Sequence, residues 1–345
     1  MRLFSAIWLL LVRKGNGKMI DVALLGTGGM MPLPGRFLSS MLCRVNGKMI
    51  LFDCGEGTQV SLRILGWGFK QIDIICFTHF HGDHISGLPG LLLTMSNAER
   101  EEPITLIGPR GLEHIVKSLC VIAQDLPFEI CFMEWDKPTL GEYVDGLLSI
   151  KALSLNHRTP CLAYSIELGR RGKFDPVRAK EQNIPLQIWS ALQKSTQQGQ
   201  EQPSCNNLEE TTENIIQTEI PIVYNGITYT SDMVLGPPRK GLKLVFCTDT
   251  RPVHKLPTFA KDANLLICEG LYGDPEKQEK TAARKHMTFQ EAAQVARTAK
   301  VQELWLTHFS PALPDPYNYL DHATAIFPNT KAGKDRMTKT LKFDD

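Results

Sequence analysis

The chain has 345 residues, of which 43% are hydrophobic and 22% charged, the proportions of a soluble globular protein with a sizeable core. They argue against disordered, collagen-like, coiled-coil and membrane-spanning classes. Its 38 basic and 37 acidic residues leave a net charge of +1, so a grip on nucleic acid would have to come from a local patch and not from a global field.

Residues 4–12 are an apolar run of signal-core length, but they lack a small-residue cleavage site, lead straight into Arg13 and Lys14, and are too short to span a bilayer. Because Met19 opens directly onto a strand-like run, residues 1–18 are expected to be a loose tail or an upstream-start artefact, and 19–345 the folded domain. A buried strand over 20–25 ends at Gly26-Thr27-Gly28-Gly29. Strands over 41–45 and 48–52 flank Asn46-Gly47, which predicts a hairpin with a type I′ turn. A further strand over 72–77 is followed, after His84, by Leu88, Leu91 and Leu92 at helical spacing. A strand over 104–107 and a helix over 112–123 come next, then antiparallel strands over 128–133, 147–155 and 162–168. Between about 169 and 241 the composition shifts to a basic run followed by a polar stretch over 195–214, the mark of an insertion or arm. Order returns with strands over 242–247 and 265–268, a helix over 288–300 and a strand over 303–307. Strand and helix patterns in both halves predict a layered α/β domain carrying this arm. Nine cysteines with no CxxC pair predict reduced, buried thiols and a cytoplasmic location.

The sharpest chemical signal is His79-Phe80-His81-Gly82-Asp83-His84, set where a buried strand gives way to a helix. Residues two apart in an extended segment face the same way, so His79 and His81 can address one cation. Asp83 and His84, in the first helical turn, are displaced towards a second. One cluster cannot complete two coordination shells. Three further residues sit at strand ends, where a sheet could aim them inward: His157, Asp249 and His308. Taken singly, each reads first as a cap or an ordinary hydrogen-bonding group; together with the cluster they supply the imidazole and carboxylate donors that zinc prefers.

These residues, with Gly26-Thr27-Gly28, the run from Phe52-Asp53-Cys54-Gly55 to Gln59, Asn156-His157-Arg158, Gly236-Pro237-Pro238-Arg239-Lys240-Gly241, Thr248-Asp249-Thr250, His286-Met287-Thr288 and Leu306-Thr307-His308, form a pattern that resembles the metallo-β-lactamase superfamily. Within it the chain is most similar to the ribonuclease Z family, over nearly all of residues 20–333. The resemblance implies a four-layer αβ/βα sandwich with the site at the open edge of two facing sheets, and a protruding exosite arm inserted at about 169–238. It implies two zinc ions per chain, one on His79, His81 and His157, the other on Asp83, His84 and His308, with Asp249 bridging them. The implied activity is that of an endoribonuclease removing the 3′ trailer of precursor tRNA, leaving a 3′-hydroxyl on the tRNA and a 5′-phosphate on the trailer. Asp83 would accept the proton of the attacking water and His286 would serve the departing ribose oxygen; the plain alternative for His286 is a surface imidazole opening a helix. Precursor tRNA is the implied partner, no membrane is involved, and a homodimer is expected.

Around this site, Asp53 is expected to orient a ligand imidazole or the loop that carries the cluster. Glu269 could reach His286 but reads first as a strand-end carboxylate. Arg36 is either a phosphate contact or a solubilising side chain. The basic residues Arg170, Arg171, Lys173, Arg178, Lys180, Arg239, Lys240 and Lys243 could supply phosphate contacts. The arm departs from the family's Gly-Pro motif, reading Ile184-Pro185-Leu186-Gln187-Ile188-Trp189, with Trp189 available to pack the tip or stack on a base. Two other readings compete. Another dinuclear phosphodiesterase or sulfatase-like hydrolase would share every ligand without needing the arm, and a non-catalytic RNA-binding protein would keep the fold without turnover.

Overall fold

A computed structural model describes residues 19–135, 142–194 and 221–344; the tail expected over 1–18 and the polar stretch over 195–214 lie outside the described residues. The apolar runs bounded by turn residues become strands: β1 (Met19–Gly26), β2 (Ser40–Val45), β3 (Lys48–Phe52), β4 (Ile74–Cys76), β5 (Ile104–Pro109), β6 (Ile130–Trp135), β7 (Glu142–Asp145), β8 (Leu148–Ser154), β9 (Leu162–Arg170), β10 (Ile222–Tyr224), β11 (Ile227–Tyr229), β12 (Arg239–Cys247), β13 (Leu265–Glu269), β14 (Leu304–Thr307), β15 (Thr330–Ala332) and β16 (Thr338–Lys342). One seven-stranded sheet has the order β16-β1-β2-β3-β4-β5-β6, the other β15-β14-β13-β12-β9-β8-β7, and β10 pairs with β11 apart from both.

Alternation along the strands builds the layers, because successive side chains point to opposite faces of a sheet. Val22, Leu24, Phe52, Tyr164, Ile166, Phe246 and Trp305 point inward and form the core between the sheets, where the Phe52 ring lies 5.6 Å from Tyr164 and 5.9 Å from Phe246. Their neighbours Leu51, Ile75 and Leu106 turn outward onto Leu62, Leu88, Leu91, Leu92 and Leu112. On the second sheet Val245, Leu266 and Cys268 turn outward onto Phe289, Ala292, Ala293 and Ala296 of the helix Phe289–Ala299. The result is helix, sheet, sheet, helix, the four layers expected. Among the described residues no helix is long and apolar enough to cross a membrane.

Runs of parallel strands position the site. β3, β4, β5 and β6 are parallel in one sheet, and β12, β13, β14 and β15 in the other. Chain leaving the carboxyl ends of such strands is where open α/β sheets place their ligands. His79 follows β4, Asp249 follows β12, Glu269 ends β13 and His308 follows β14.

Several local expectations hold, and others are corrected. Asn46 and Gly47 have φ of 51° and 82°, the doubly positive pair a type I′ turn requires. The strand expected at 128–133 forms as β6, but it is parallel to β5; the helix Leu112–Leu119 supplies the crossover such pairing needs. That helix ends earlier than expected, passing into a 3₁₀ turn at Cys120–Ile122. β7, β10, β11, β15 and β16 form where the letters carried no strand signal. In β16 only Leu341 is buried, and this lysine- and threonine-rich strand pairs with β1 at the sheet edge, Leu341 opposite Ile20. Exposed lysines of this kind protect an edge from pairing with other chains. Among the described residues seven cysteines are free and buried, in keeping with the expectation of reduced thiols.

Between β9 and β12 the chain forms a cluster of its own. Asp175 caps the helix Pro176–Glu181 by accepting from Val177 N and Arg178 N at 3.0 and 3.1 Å. Ala179, Ile188, Leu192, Tyr229 and Val234 bury one another. Trp189 packs on Phe174 at 5.2 Å and donates from Nε1 to Ile184 O at 2.9 Å, so it serves as packing for this cluster.

Candidate metal centre

His79 and His81 leave β4 in extended chain, and the single turn Gly82–Ile85 carries Asp83 and His84. Their imidazoles meet side chains from the second sheet. His79 Nε2 lies 3.0 Å from His81 Nδ1, which is 3.3 Å from His157 Nε2. Asp249 Oδ2 is 3.5 Å from His79 Nε2 and 3.6 Å from His157 Nε2. In the second group His84 Nε2 and His308 Nε2 are 3.2 Å apart, and Asp83 Oδ2 is 3.3 Å from His308 Nε2 and 3.7 Å from His84 Nε2. The other oxygen of Asp249, Oδ1, faces this second group, 3.3 Å from His84 Nε2 and 3.1 Å from His308 Nε2. All seven side chains expected as ligands are thus brought together, in two groups that Asp249 joins.

The donor set fits a pair of cations. Nitrogens bound about 2.0 to 2.1 Å from one tetrahedral zinc lie about 3.3 Å from each other, the spacing seen here. Pairwise hydrogen bonds would need a separate proton for each close nitrogen pair, with His81 Nδ1 facing two partners at once, whereas a shared cation in each group accounts for these approaches together. Asp249 Oδ1 is buried and has no hydrogen bond, a costly state for a carboxylate oxygen. Burial, with His84 next, holds His79 well below the ordinary imidazole range, and burial lowers His81 and takes His157 to about 4; neutral imidazole is the form that coordinates. Against its own burial, His84 is pushed well up by Asp249 and Asp53, a field that calls for positive charge.

The side chains of the cluster are held from behind. Asp53 Oδ2 meets His84 Nδ1 at 2.8 Å, while Oδ1 accepts from Thr78 N at 2.7 Å; this is the orienting part expected of Asp53. Thr78 Oγ1 lies 3.0 Å from His79 Nδ1, and His157 Nδ1 donates to Lys285 O at 3.1 Å. Asp53 and His308 have φ of 54° and 59°, and backbone in this region is tolerated where the surroundings enforce it. Gly29 matters for space: a Cβ there would come within 2.5 Å of the His308 ring.

His286 joins the same cluster, beside Asp249 and His308. Its ring stacks on His308 at 5.5 Å between centroids, and Nδ1 is 2.9 Å from Glu269 Oε2. Burial alone would lower this imidazole, but Glu269, with help from Asp249, pushes it up to about 9. The reading of Glu269 as a plain strand-end carboxylate is therefore corrected, because the carboxyl end of β13 opens on the edge where His286 lies. Arg36 does something neither expectation described: its guanidinium donates to Leu313 O and Pro314 O at 2.9 and 2.6 Å. Thr78 and Lys285 escaped sequence reading, and only their adjacency to His79 and His286 marked them.

Of the basic residues, Arg170 donates to Asp344 O, Arg178 to Leu235 O and Arg239 to Arg171 O, and Lys243 pairs with Glu167. Arg171, Lys173 and Arg239 line a cleft of about 430 Å³ at the root of the insertion, with Phe174, Gln193 and Leu235.

Fold and site together define a metallo-β-lactamase-fold protein with a histidine- and aspartate-lined metal centre. In fold it is similar to the metallo-β-lactamase fold protein YhfI from Bacillus subtilis (TM-score 0.62, 16% identity, covering 94% of this chain and 100% of that one) and to human tRNase Z, short form (TM-score 0.62, 24% identity, 92% and 98%). Residues 20–125 match the family model described as anti-Pycsar protein Apyc1. The chain is 50% identical to a ribonuclease Z of Lachnoclostridium phytofermentans, over 94% of its own length and 99% of the relative's, and 46% identical to that of Clostridium acetobutylicum, over 95% and 100%. It belongs to the ribonuclease Z family.

Proposed function

We propose that the chain is a zinc-dependent endoribonuclease that cuts the 3′ trailer from precursor tRNA, leaving a 3′-hydroxyl on the tRNA and a 5′-phosphate on the trailer. The observation that carries this reading is the division of Asp249, one oxygen towards His79 and His157 and the other towards His84 and His308, in a chain half identical to a ribonuclease Z along nearly its whole length.

His79, His81 and His157 would hold one zinc, Asp83, His84 and His308 the second, and Asp249 both. Bound there, two such cations supply Lewis-acid charge at the phosphoryl group and favour ionisation of water near neutral pH. The chain's own residues do the rest. Burial would raise the Asp83 carboxyl, but His308 and His84 hold it well below the usual carboxylate range, so it is ionised and able to accept a proton from the attacking water. Its Oδ2 is fixed by Met30 N at 2.6 Å. His286, charged through Glu269, presents its other ring nitrogen, Nε2, to the departing ribose 3′ oxygen and gives it a proton.

We assign residues 19–345 to one metallo-β-lactamase-type domain, with an arm at about 169–238 that grips RNA; the basic cleft at its root supports phosphate contacts there. The rival reading as a phosphodiesterase for small substrates has no use for such an arm. A cytoplasmic location follows from a tRNA substrate and mostly free thiols. The assembly is a homodimer, supported by exposed apolar side chains, Ile64 and Ile122 among them, 60% and 72% accessible.

Incubation of the metal-loaded full chain with a precursor tRNA carrying a trailer, with the cut mapped, tests the reading. Cleavage at the 3′ end of the tRNA body, lost in Asp83→Ala, is the expected result. Hydrolysis of small phosphodiesters with intact precursor tRNA would overturn it.

A further inference from the structure

Two residues beyond Asp249, the chain turns a guanidinium back under the site. Arg251 Nη1 donates to His286 O at 2.5 Å and to Glu291 Oε2 at 2.9 Å, and Nη2 donates to Glu291 Oε1. Glu291 already closes a capping box with Thr288, accepting from Thr288 N at 2.9 Å. Arg251 therefore adds a link that the helix Phe289–Ala299 does not need for its own cap. Its main chain is fixed as well, with Arg251 N donating to Asn156 O at 3.0 Å and Asn156 N donating to Thr250 Oγ1 at 3.0 Å.

The segment that carries the bridging carboxylate thus holds His286 from two directions. Thr250 N donates to Glu269 Oε1, and the other oxygen of that carboxylate meets His286 Nδ1; this sets the ring. Arg251 takes the His286 carbonyl; this sets the main chain. On the near side of the turn Lys285, at φ 61°, presents its carbonyl to His157 Nδ1 and its Nζ to His157 O at 3.1 Å. His286 sits between two clamps, one on the carbonyl before it and one on its own, and each leads back to a side chain of the metal centre or to its neighbour.

We propose that Arg251 is a positioning residue for His286, holding its main chain at a fixed distance from Asp249 so that the imidazole meets the departing oxygen. The fork of the guanidinium suits this task, because it grips the carboxylate of Glu291 with two nitrogens while one of them also reaches the carbonyl. A lysine offers one nitrogen and can satisfy only part of the arrangement. The proposal rests on the reading of His286 given above.

A double-mutant cycle on the full, metal-loaded chain tests it, with cleavage of precursor tRNA and metal content read side by side. Arg251→Ala is expected to lower kcat about tenfold to a hundredfold, the scale of a small misplacement of a catalytic group, with KM nearly unchanged and the metal retained. Arg251→Lys recovers part of the loss and carries the same cycle should the alanine variant fail to fold. Combined with His286→Ala, neither change lowers kcat beyond His286→Ala alone, since residues acting as a unit are not additive. Multiplying losses in the double variant, loss of metal, or a rise in KM alone would overturn the assignment. Full activity in His286→Ala would instead overturn the role of His286, and the proposal with it.

Discussion

Among the buried carboxylates, Asp53 holds the Nδ1 side of His84 while the opposite nitrogen faces the metal groups. Replacing it by asparagine keeps the shape and removes the charge that fixes the ring's tautomer. Asp53→Asn is expected to weaken metal affinity about 10-fold to 100-fold, read by competition with a chelator, in a chain that still melts cooperatively. Glu269 gives a pH prediction. His286 is raised to about 9 by Glu269 against its burial, so the charged form that donates is present below that pH and lost as the pH rises through it. Glu269→Gln removes the main raising influence, and the alkaline limb of kcat should move to lower pH; an unmoved limb would contradict the part given to His286. The side chains that gather at the candidate centre were legible because a histidine or aspartate directly after an apolar strand has one edge to face. The Glu269 to His286 contact was not, since the partners lie 17 positions apart with a helix between them, and only the fold shows that both reach the same edge.

Strands with an unbroken apolar stretch, such as Leu265–Glu269 and Leu304–Thr307, could be read from their letters because they are buried on both faces. Thr338–Lys342, with one buried side chain, carries no such signature and is defined by its partner β1. Likewise the direction of β6 depends on the helix before it and not on its own residues. The segment between β9 and β12 illustrates both sides: a change in composition marks it in the sequence, whereas its small core of Ala179, Ile188, Leu192 and Tyr229 draws on residues far apart in the chain. Its two ends are neighbours, with Arg170 opposite Arg239 and Gly236 N donating to Lys173 O at 2.8 Å, so a short turn can replace it. A chain in which 171–238 is so replaced is expected to lose cleavage of precursor tRNA and to keep hydrolysis of bis(p-nitrophenyl) phosphate. Equal loss of both activities would show that the arm supports the centre and does not grip RNA.

At the scale of the molecule, two sheets pack through large side chains such as Trp305, Tyr164 and Phe246, and the site exists only where their edges meet. Neither sheet has a complete centre: the first supplies His79, His81, Asp83 and His84, the second His157, Asp249 and His308. The helical layer over the first sheet exposes Ile64 and Ile122; with this layer as the face of the proposed homodimer, Ile64→Glu with Ile122→Glu should bring a mass of two chains, measured by light scattering, down to one, and an unchanged mass would contradict that face. The central claim is that seven side chains hold two cations across this edge. Anomalous diffraction from crystals grown with zinc measures that directly. Two peaks about 3.5 to 4 Å apart, one beside each oxygen of Asp249, are the predicted result; a single peak, or peaks remote from His157 and His308, would contradict it.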